Sequence, residues 1–383
     1  MKNIEQSRRN FLKVMAGTTA GLAIAGKLQG MDAGTSAAAN GSPIKPLEKV
    51  RAAFIGVGAR GSGHVTTMMS LEGVEIVAIA DNHEPSLKAS VAGVKNAGRK
   101  EPAAFGRGDE DYKRMLERDD IDIVIIATPW EWHTRMCVDA MTAGKHAFTE
   151  VPAAMSIDEC WQLVDTSERT QKHCMMMENC CYGREELFCL NLCRLGLLGE
   201  LLHGEGAYLH DLRGQMNDLP HGTGSWRTWH YAKRNGNLYP THGLGPVAQY
   251  MGINRGDRFD YLSSVSSPAL GRPAFAKSNF PPDHQWNKIA KWTCGDICTT
   301  IVKTALGRTI MVQWNETSPR PYSRINLIQG TRGTFAGYPS RLAIEGVTPN
   351  ADEWLEGAKL EEFMQKYEHP LWKKMGELAK KGG

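Results

Sequence analysis

The chain has 383 residues, 42% hydrophobic and 23% charged, a balance that excludes a disordered tail protein, a collagen-like repeat and a disulfide miniprotein. Forty-five basic against forty-two acidic residues leave a net charge of +3. Near the C-terminal end the bases pair only as Lys373-Lys374 and Lys380-Lys381, so a phosphate-tracking face, and with it nucleic acid as a partner, is not expected.

At the N-terminus, Ser7-Arg8-Arg9-Asn10-Phe11-Leu12-Lys13 precedes a weakly apolar stretch, residues 14–26, and small residues at 36–39. A paired arginine in this setting resembles a twin-arginine export signal. The apolar stretch is too short, and too rich in Gly and Thr, for a spanning helix of about 20 residues, and no later run supplies one. Residues 1–40 therefore read as signal and linker. Export by the twin-arginine machinery to the periplasm is the expected route, and it carries proteins already folded around their cofactors.

Residues 50–55 form the first predicted strand. It runs into Gly56-Val57-Gly58-Ala59-Arg60-Gly61 and then into a helix predicted over residues 64–71. This is a G-x-G-x-x-G fingerprint in its strand–turn–helix setting. Gly56 permits the tight turn, Gly58 lets a pyrophosphate approach the backbone, and Gly61 lets the helix sit close to the strand. A second apolar run, residues 74–80, ends at Asp81, 20 residues after Gly61, where a carboxylate would hold a ribose hydroxyl. Asp81 favours NAD over NADP, although Arg60 nearby could accommodate a 2′-phosphate.

The alternation continues with a strand over 121–127, a helix over 131–143 ending at Gly144, and a strand over 146–149 followed by Glu150-Val151-Pro152. Ser156 and Glu159 make a capping box for another helix, and residues 174–177 form a strand ending near Asn179. Alternating strands and helices imply an α/β fold: a doubly wound parallel Rossmann sheet over residues 48–179. Its ligand belongs at the carboxyl ends of the strands, which carry Gly58, Asp81, Trp130, Glu150 and Asn179. The nine cysteines have no framework spacing. Cys189 and Cys193, four apart on a predicted helix, could suit a metal, but without a C-x-x-C pair they read as buried thiols. No metal is expected.

Thr128-Pro129 with His133, residues 140–146 and Glu150-x-Pro152 resemble the Gfo/Idh/MocA dehydrogenases. That resemblance implies a second α/β domain with an open, mostly antiparallel sheet over residues 180–383. Such sheets often pair face to face, which makes a homodimer plausible. The departures narrow the family. Val151 stands where most such dehydrogenases carry a catalytic lysine, Tyr239-Pro240-Thr241-His242 replaces their Asp/His arrangement, and Trp130-Glu131-Trp132-His133 replaces their Asn-containing turn. Together with the glycine motif, these resemble glycoside hydrolase family 109, which contains NAD-dependent α-N-acetylgalactosaminidases.

The resemblance implies cofactor contacts at Ala59, Arg60, Asp81, Trp130, Glu131, Trp132, His133, Glu150, Val151 and Asn179. It implies sugar contacts at Tyr208, Arg227, Tyr239, Pro240, Thr241, His242 and Tyr322. Family members usually continue several dozen residues past Lys380-Lys381-Gly382-Gly383, which points to a shortened second domain.

Ordinary glycosidases place two carboxylates about 5 to 10 Å apart, with NAD-dependent families as exceptions. Asp211, Asp218 and Asp257 are candidates here but read equally as solvated residues. In the implied alternative the sugar is oxidised at C3, deprotonated at C2, loses its aglycone from C1, takes up water and is reduced again at C3. Such a cycle keeps NAD tightly bound and regenerates it each turnover. The base must titrate near neutrality, which favours histidine. His242 is the candidate, with Tyr239 orienting it or bonding the sugar; a helix-terminal histidine bonded to backbone is the bland alternative. Arg227 would hold sugar hydroxyls by its fork of donors. Tyr208 and Tyr322 could as well be packing, and His146 reads as structural. Two other functions remain open at this level: an exported NAD(P)-dependent sugar oxidoreductase, which Val151 disfavours, and a nucleotide-binding protein without catalysis.

Overall fold

The computed structural model describes residues 47–218, 221, 225–348, 350 and 352–375. The twin-arginine-like leader and the C-terminal Lys380-Lys381-Gly382-Gly383 lie outside the described residues.

The apolar runs of the first half become β1 (Val50–Ile55), β2 (Val74–Ala80), β3 (Ala103–Phe105), β4 (Ile123–Ile126), β5 (His146–Thr149) and β6 (Cys174–Met176). They pair in parallel in the order β3-β2-β1-β4-β5-β6. The last four residues of β1 and the last five of β2 are buried without a break, as expected of strands covered on both faces. Helices α1 (Ala59–Met69), α2 (Glu84–Asn96), α3 (Tyr112–Leu116), α4 (Trp130–Thr142) and α5 (Ile157–Thr170) make the crossovers. Two apolar layers result. Ile55, Val124, Ile126, Met136 and Met141 belong to one, and Phe54, Val65, Ile79, Leu87 and Ile125 to the other. The strand order reverses between β1 and β4, which opens a crevice at the carboxyl ends.

Two helices begin earlier than their sequence pattern predicts. α1 starts at Ala59 rather than residue 64, because Gly58 is its extended N-cap and the glycine turn is its first turn. The geometry requires glycine there: Gly56 has φ +82°, and a Cβ on Gly61 would fall within 3 Å of the Gly56 carbonyl. α4 starts at Trp130, so the Trp-Glu-Trp-His motif is its first turn.

The second sheet contains β7 (Leu201–Leu209), β8 (Phe259–Ser266), β9 (Cys298–Thr304), β10 (Thr309–Asn315), β11 (Leu327–Gly330), β12 (Gly333–Ala336) and β13 (Arg341–Ile344), in the order β13-β12-β11-β7-β10-β9-β8. Only β7 and β10 run parallel; the other pairings are antiparallel. Helices α6 (Arg184–Arg194), α7 (Ser225–Lys233), α8 (Thr241–Tyr250), α9 (Gly271–Asn279) and α10 (Gly357–Lys366) accompany it. Phe188, Leu192, Val247 and Leu360 from α6, α8 and α10 pack on Val302, Ile310, Val312, Ile328 and Phe335 of one sheet face. On the opposite face Tyr261, Val265 and Ile301 are exposed.

Helix α8 lies against β7 where two glycines meet. A Cβ on Gly243 would fall within 3 Å of the Ala207 amide, and one on Gly206 within 3 Å of the Gly243 carbonyl. This close approach fixes the helix whose first turn carries His242. No helix among the described residues is long and apolar enough to cross a membrane.

Candidate active site

The carboxyl ends of β1, β2, β4 and β5 border a cavity of about 340 Å³, within the range of roughly 300–1,000 Å³ for small-molecule sites. Gly56, Gly58, Ala59, Arg60, Asp81, Trp130, Trp132, His133, Glu150 and Val151 line it. Three other residues expected to contact the cofactor are not among those lining this cavity. Gly61 sits behind the turn against Gly56, and Glu131 points to His230 at 3.5 Å. Asn179 is exposed and opens a short 3-10 turn, Asn179–Tyr182, past β6.

The cleft fits a dinucleotide. Gly58 caps α1 without a side chain, so the first-turn N–H groups and the positive dipole end remain available to a phosphate. The Val57 and His83 amides each donate to Asp81 at 2.7 Å, holding that carboxylate at the end of β2. Arg60 turns its Nε toward Glu150 at 2.7 Å, and His64 Nε2 lies 2.7 Å from the same oxygen. Burial alone would raise the Glu150 pKa, but His64 and Arg60 bring it down to about 2. His133 lines the wall but is a brace: its ring nitrogens lie 2.7 Å from the Thr128 and Pro152 carbonyls. Burial lowers its pKa more than those carbonyls raise it.

Beyond Val151, which is 2% exposed, the cleft gives way to an aromatic wall. Val151 packs with Trp130, Tyr208, Tyr231, Tyr239 and Trp314. Trp130 stacks on Tyr239 with centroids 5.6 Å apart, and Tyr239 and Tyr208 each meet His242 edge-on at 4.9 Å. Tyr322, 41% exposed, stands edge-on to Tyr208 at 6.0 Å. The Arg227 guanidinium, from α7, lies 5.2 to 5.4 Å from the ring centres of Trp130, Trp226 and Tyr239. Its Nε is buried without a hydrogen-bond partner. The structure thus gathers Tyr208, Arg227, Tyr239, His242 and Tyr322 from four chain segments, with Pro240 as the α8 N-cap and Thr241 as its first residue. Burial pushes the Tyr208 and Tyr239 phenols well above their ordinary range, so both remain neutral donors.

His242 is not satisfied by backbone. Its Nδ1 lies 2.6 Å from Glu178 Oε1, which also accepts the Cys180 amide at 3.0 Å. Burial pushes the Glu178 carboxyl up, but the His242 hydrogen bond and charge, the Thr241 hydroxyl and the Cys180 amide hold it below the usual range. An ionised carboxylate can only accept, so in the neutral ring Nδ1 carries the proton and Nε2 the lone pair.

Glu178 was invisible to sequence reasoning although it directly precedes Asn179, and so was His64. The buried carboxylates of the second half were missed too. Glu186 pairs with Arg324 at 2.5 Å, and the fully buried Glu316 accepts the Tyr231 hydroxyl. The acids that sequence did suggest are occupied or solvated. Asp211 pairs with Arg213 at 2.8 Å, Asp257 accepts the Arg258 and Leu306 amides, and Asp218 is exposed. Glu178, Cys180 and His242 offer ligand atoms within 4.8 Å of one another. The Arg324 Nη1 already donates to the Cys180 sulfur at 3.0 Å, and burial pushes that thiol up to about 12, so a cation already faces the sulfur.

Residues 50–178 match an oxidoreductase family model with an NAD-binding Rossmann fold, and residues 182–383 match the glycosyl hydrolase 109 C-terminal domain. Glycosyl hydrolase family 109 protein 1 of Shewanella sp. strain MR-4 is 54% identical over 400 residues, covering 100% of this chain and 84% of that protein. The alpha-N-acetylgalactosaminidase of Shewanella oneidensis is 54% identical over 392 residues with the same coverage. The chain belongs to glycosyl hydrolase family 109. Its fold is shared by an NAD-binding oxidoreductase from Klebsiella pneumoniae (TM-score 0.64, 18% identity, 81% of this chain and 79% of that one). Levoglucosan dehydrogenase in complex with NADH is similar (TM-score 0.62, 20% identity, 80% and 78%). The family 109 protein is therefore a glycoside hydrolase built on an NAD-binding dehydrogenase fold.

Proposed function

We propose that this chain is an exported α-N-acetylgalactosaminidase that keeps NAD bound and returns it unchanged after each turnover. The observation that carries this reading is the junction of the two halves. The cleft that fits a dinucleotide ends at Val151, which cannot move a proton, and directly beyond it stands an aromatic wall with one oriented histidine. Relatives 54% identical along the whole chain, one of them named for this activity, support it.

Gly58 and the first turn of α1 would hold the pyrophosphate, and Asp81 a ribose hydroxyl. NAD, when bound, would supply reversible hydride acceptance at C3 of the sugar, with the O3 proton passing to solvent and returning with the hydride. His242 Nε2 takes the C2 proton: the C–H bond breaks, an N–H bond forms, and the electron pair remains in the sugar as an enolate. Tyr208 and Tyr239, kept neutral by burial, donate hydrogen bonds to sugar oxygens. Arg227 supplies a fixed positive charge beside the developing enolate, where electrostatic stabilisation is most effective. The C1–O bond then breaks with its electron pair going to the aglycone oxygen, which takes a proton from the incoming water as hydroxide adds at C1, and His242 returns its proton to C2 before C3 is reduced again.

In this reading residues 48–179 hold the cofactor, while residues 180–383 supply the sugar-facing wall and a dimerisation face. The exposed Tyr261, Val265 and Ile301 on the uncovered side of the second sheet support a homodimer. The leader directs the folded protein through the twin-arginine machinery to the periplasm, where a resident cofactor is an advantage because there is no pool to replace it.

The test uses purified protein without added nucleotide on 4-nitrophenyl N-acetyl-α-galactosaminide. Nitrophenol release, with NAD recovered from the denatured protein and release abolished by His242→Ala, is expected. NADH accumulating on free N-acetylgalactosamine without glycoside cleavage would replace this reading with the oxidoreductase. Light scattering at the mass of one chain would remove the dimer.

A further inference from the structure

Glu178 and His242 are 64 positions apart in the chain and belong to different sheets' surroundings. Glu178 follows β6 of the Rossmann sheet, immediately before Asn179, whereas His242 is in the first turn of α8 beside the second sheet. We propose that Glu178 is the positioning residue of the base: it accepts the hydrogen bond of the His242 Nδ1–H, aims Nε2 at the sugar, and stabilises the imidazolium formed during turnover. The inference rests on the proposed role of His242.

Three features single out this contact. At 2.6 Å it is in the range of charge-assisted hydrogen bonds. The same oxygen is fixed by the Cys180 amide at 3.0 Å, so the carboxylate is held from its own side and does not follow the imidazole. And the pair ties the base to the end of β6, in the sheet whose strand ends border the cofactor cleft, rather than to the helix's own sheet. Proton acceptance at Nε2 and reduction of charge at the pair then occur together: the C2 proton arrives on Nε2 while the Nδ1 proton stays on nitrogen, facing Oε1.

The surrounding groups leave Glu178 as the anion that faces this ring. Cys180 and Cys181 are kept as thiols by burial, and Tyr208 and Tyr239 as phenols. Glu186 is tied to Arg324. His210 is held toward its neutral form by burial and lies 3.0 Å from the Tyr208 hydroxyl.

The experiment compares full-length wild type with Glu178→Gln, Glu178→Asp and Glu178→Ala. Gln keeps an acceptor but removes the charge. It is expected to lower kcat about 10²- to 10⁴-fold, change KM only a few-fold, and leave the NAD content of the purified protein unchanged. A carboxylate partner favours the protonated ring, so its removal makes the imidazole a weaker base; the acid limb of the kcat/KM profile moves to lower pH, by about one unit. A primary isotope effect with substrate deuterated at C2 increases. Asp recovers part of the rate and restores the acid limb. Lost rate with an unmoved acid limb and unchanged isotope effect would reduce Glu178 to a packing role, and so would kcat within twofold of wild type. The downfield Nδ1 proton resonance of His242, present in wild type and absent in Glu178→Ala, reads the hydrogen bond independently of substrate. Its absence from wild type overturns the proposal, whereas its presence in a protein inactive on the glycoside leaves the pair standing and removes the glycosidase reading.

Discussion

Gly206 of β7 and Gly243 of α8 touch backbone to backbone, and neither position has room for a methyl group. The contact sets the height of α8 over the sheet, and His242 is the residue immediately before it. In an open helix Gly→Ala would stabilise by about 0.8–1.0 kcal/mol. Here the new methyl would overlap the Ala207 amide, and overpacking of this kind costs about 1–3 kcal/mol or more. Steric conflict wins. Gly243→Ala is expected to lower stability in urea titrations and to cut kcat at least tenfold while the purified protein still contains NAD. A variant with wild-type midpoint and kcat would show that α8 has slack.

Asp81 is expected to govern cofactor retention. Two backbone amides hold it at 2.7 Å, so the carboxylate is oriented before any ribose arrives. Asp81→Ala removes a charged acceptor worth about 1.5–3 kcal/mol, or roughly a 10- to 150-fold loss in NAD affinity. Nucleotide released by denaturing equal amounts of both proteins measures it. Undiminished NAD in the variant would place the ribose elsewhere.

The cofactor half was legible because phosphate binding imposes a local code. Gly56, Gly58 and Gly61 must be close in sequence to make one turn, and Asp81 must end the next strand. The strand alternation likewise located the parallel sheet to within a few residues. Errors fell where a turn and a helix share residues, as at Ala59 and Trp130. The sugar-facing half was legible only through the family resemblance of its motifs. Tyr208, Arg227, His242 and Tyr322 come from a strand, two helices and a loop, and nothing in their spacing requires them to meet. Glu178 was missed for the same reason: its meaning depends on packing between β6 and α8. Glu316 lacks a local signature too, since a buried carboxylate looks like any other Glu until its partner is seen.

Val151 marks the difference from lysine-bearing dehydrogenases, and its surroundings predict the result of restoring that lysine. The side chain is 2% exposed among aromatic rings, with the Arg227 guanidinium against Trp130 of the same cluster. An amine placed there loses its hydration and faces an existing cation. Val151→Lys is expected to cost about 1–3 kcal/mol of stability and to lower glycosidase activity without creating a dehydrogenase. Chemical denaturation and absorbance at 340 nm with free N-acetylgalactosamine check both parts. Full stability together with NADH accumulation would mean that the wall accommodates lysine and that this one residue sets the reaction.

Glu150 makes a prediction about acid. Burial works against its charge, yet His64 and Arg60 hold its pKa at about 2, against 4.5 for an unperturbed glutamate. A carboxyl with a depressed folded pKa contributes its full stability above the unfolded value and loses it as pH falls through the folded one. The window is therefore from about pH 4.5 down to about pH 2. At about 1.4 kcal/mol per unit the contribution is at most about 3.5 kcal/mol, and less because the Arg60 side chain is 53% exposed and screened by solvent. Other carboxylates titrate in the same range, so the measurement is a difference: unfolding free energy of wild type minus that of Glu150→Gln, followed from pH 6 to pH 3. That difference should be flat down to about pH 4.5 and then shrink. A difference that stays constant to pH 3 would mean that His64 and Arg60 stabilise the glutamine equally well, and that charge at Glu150 serves the cofactor rather than the fold.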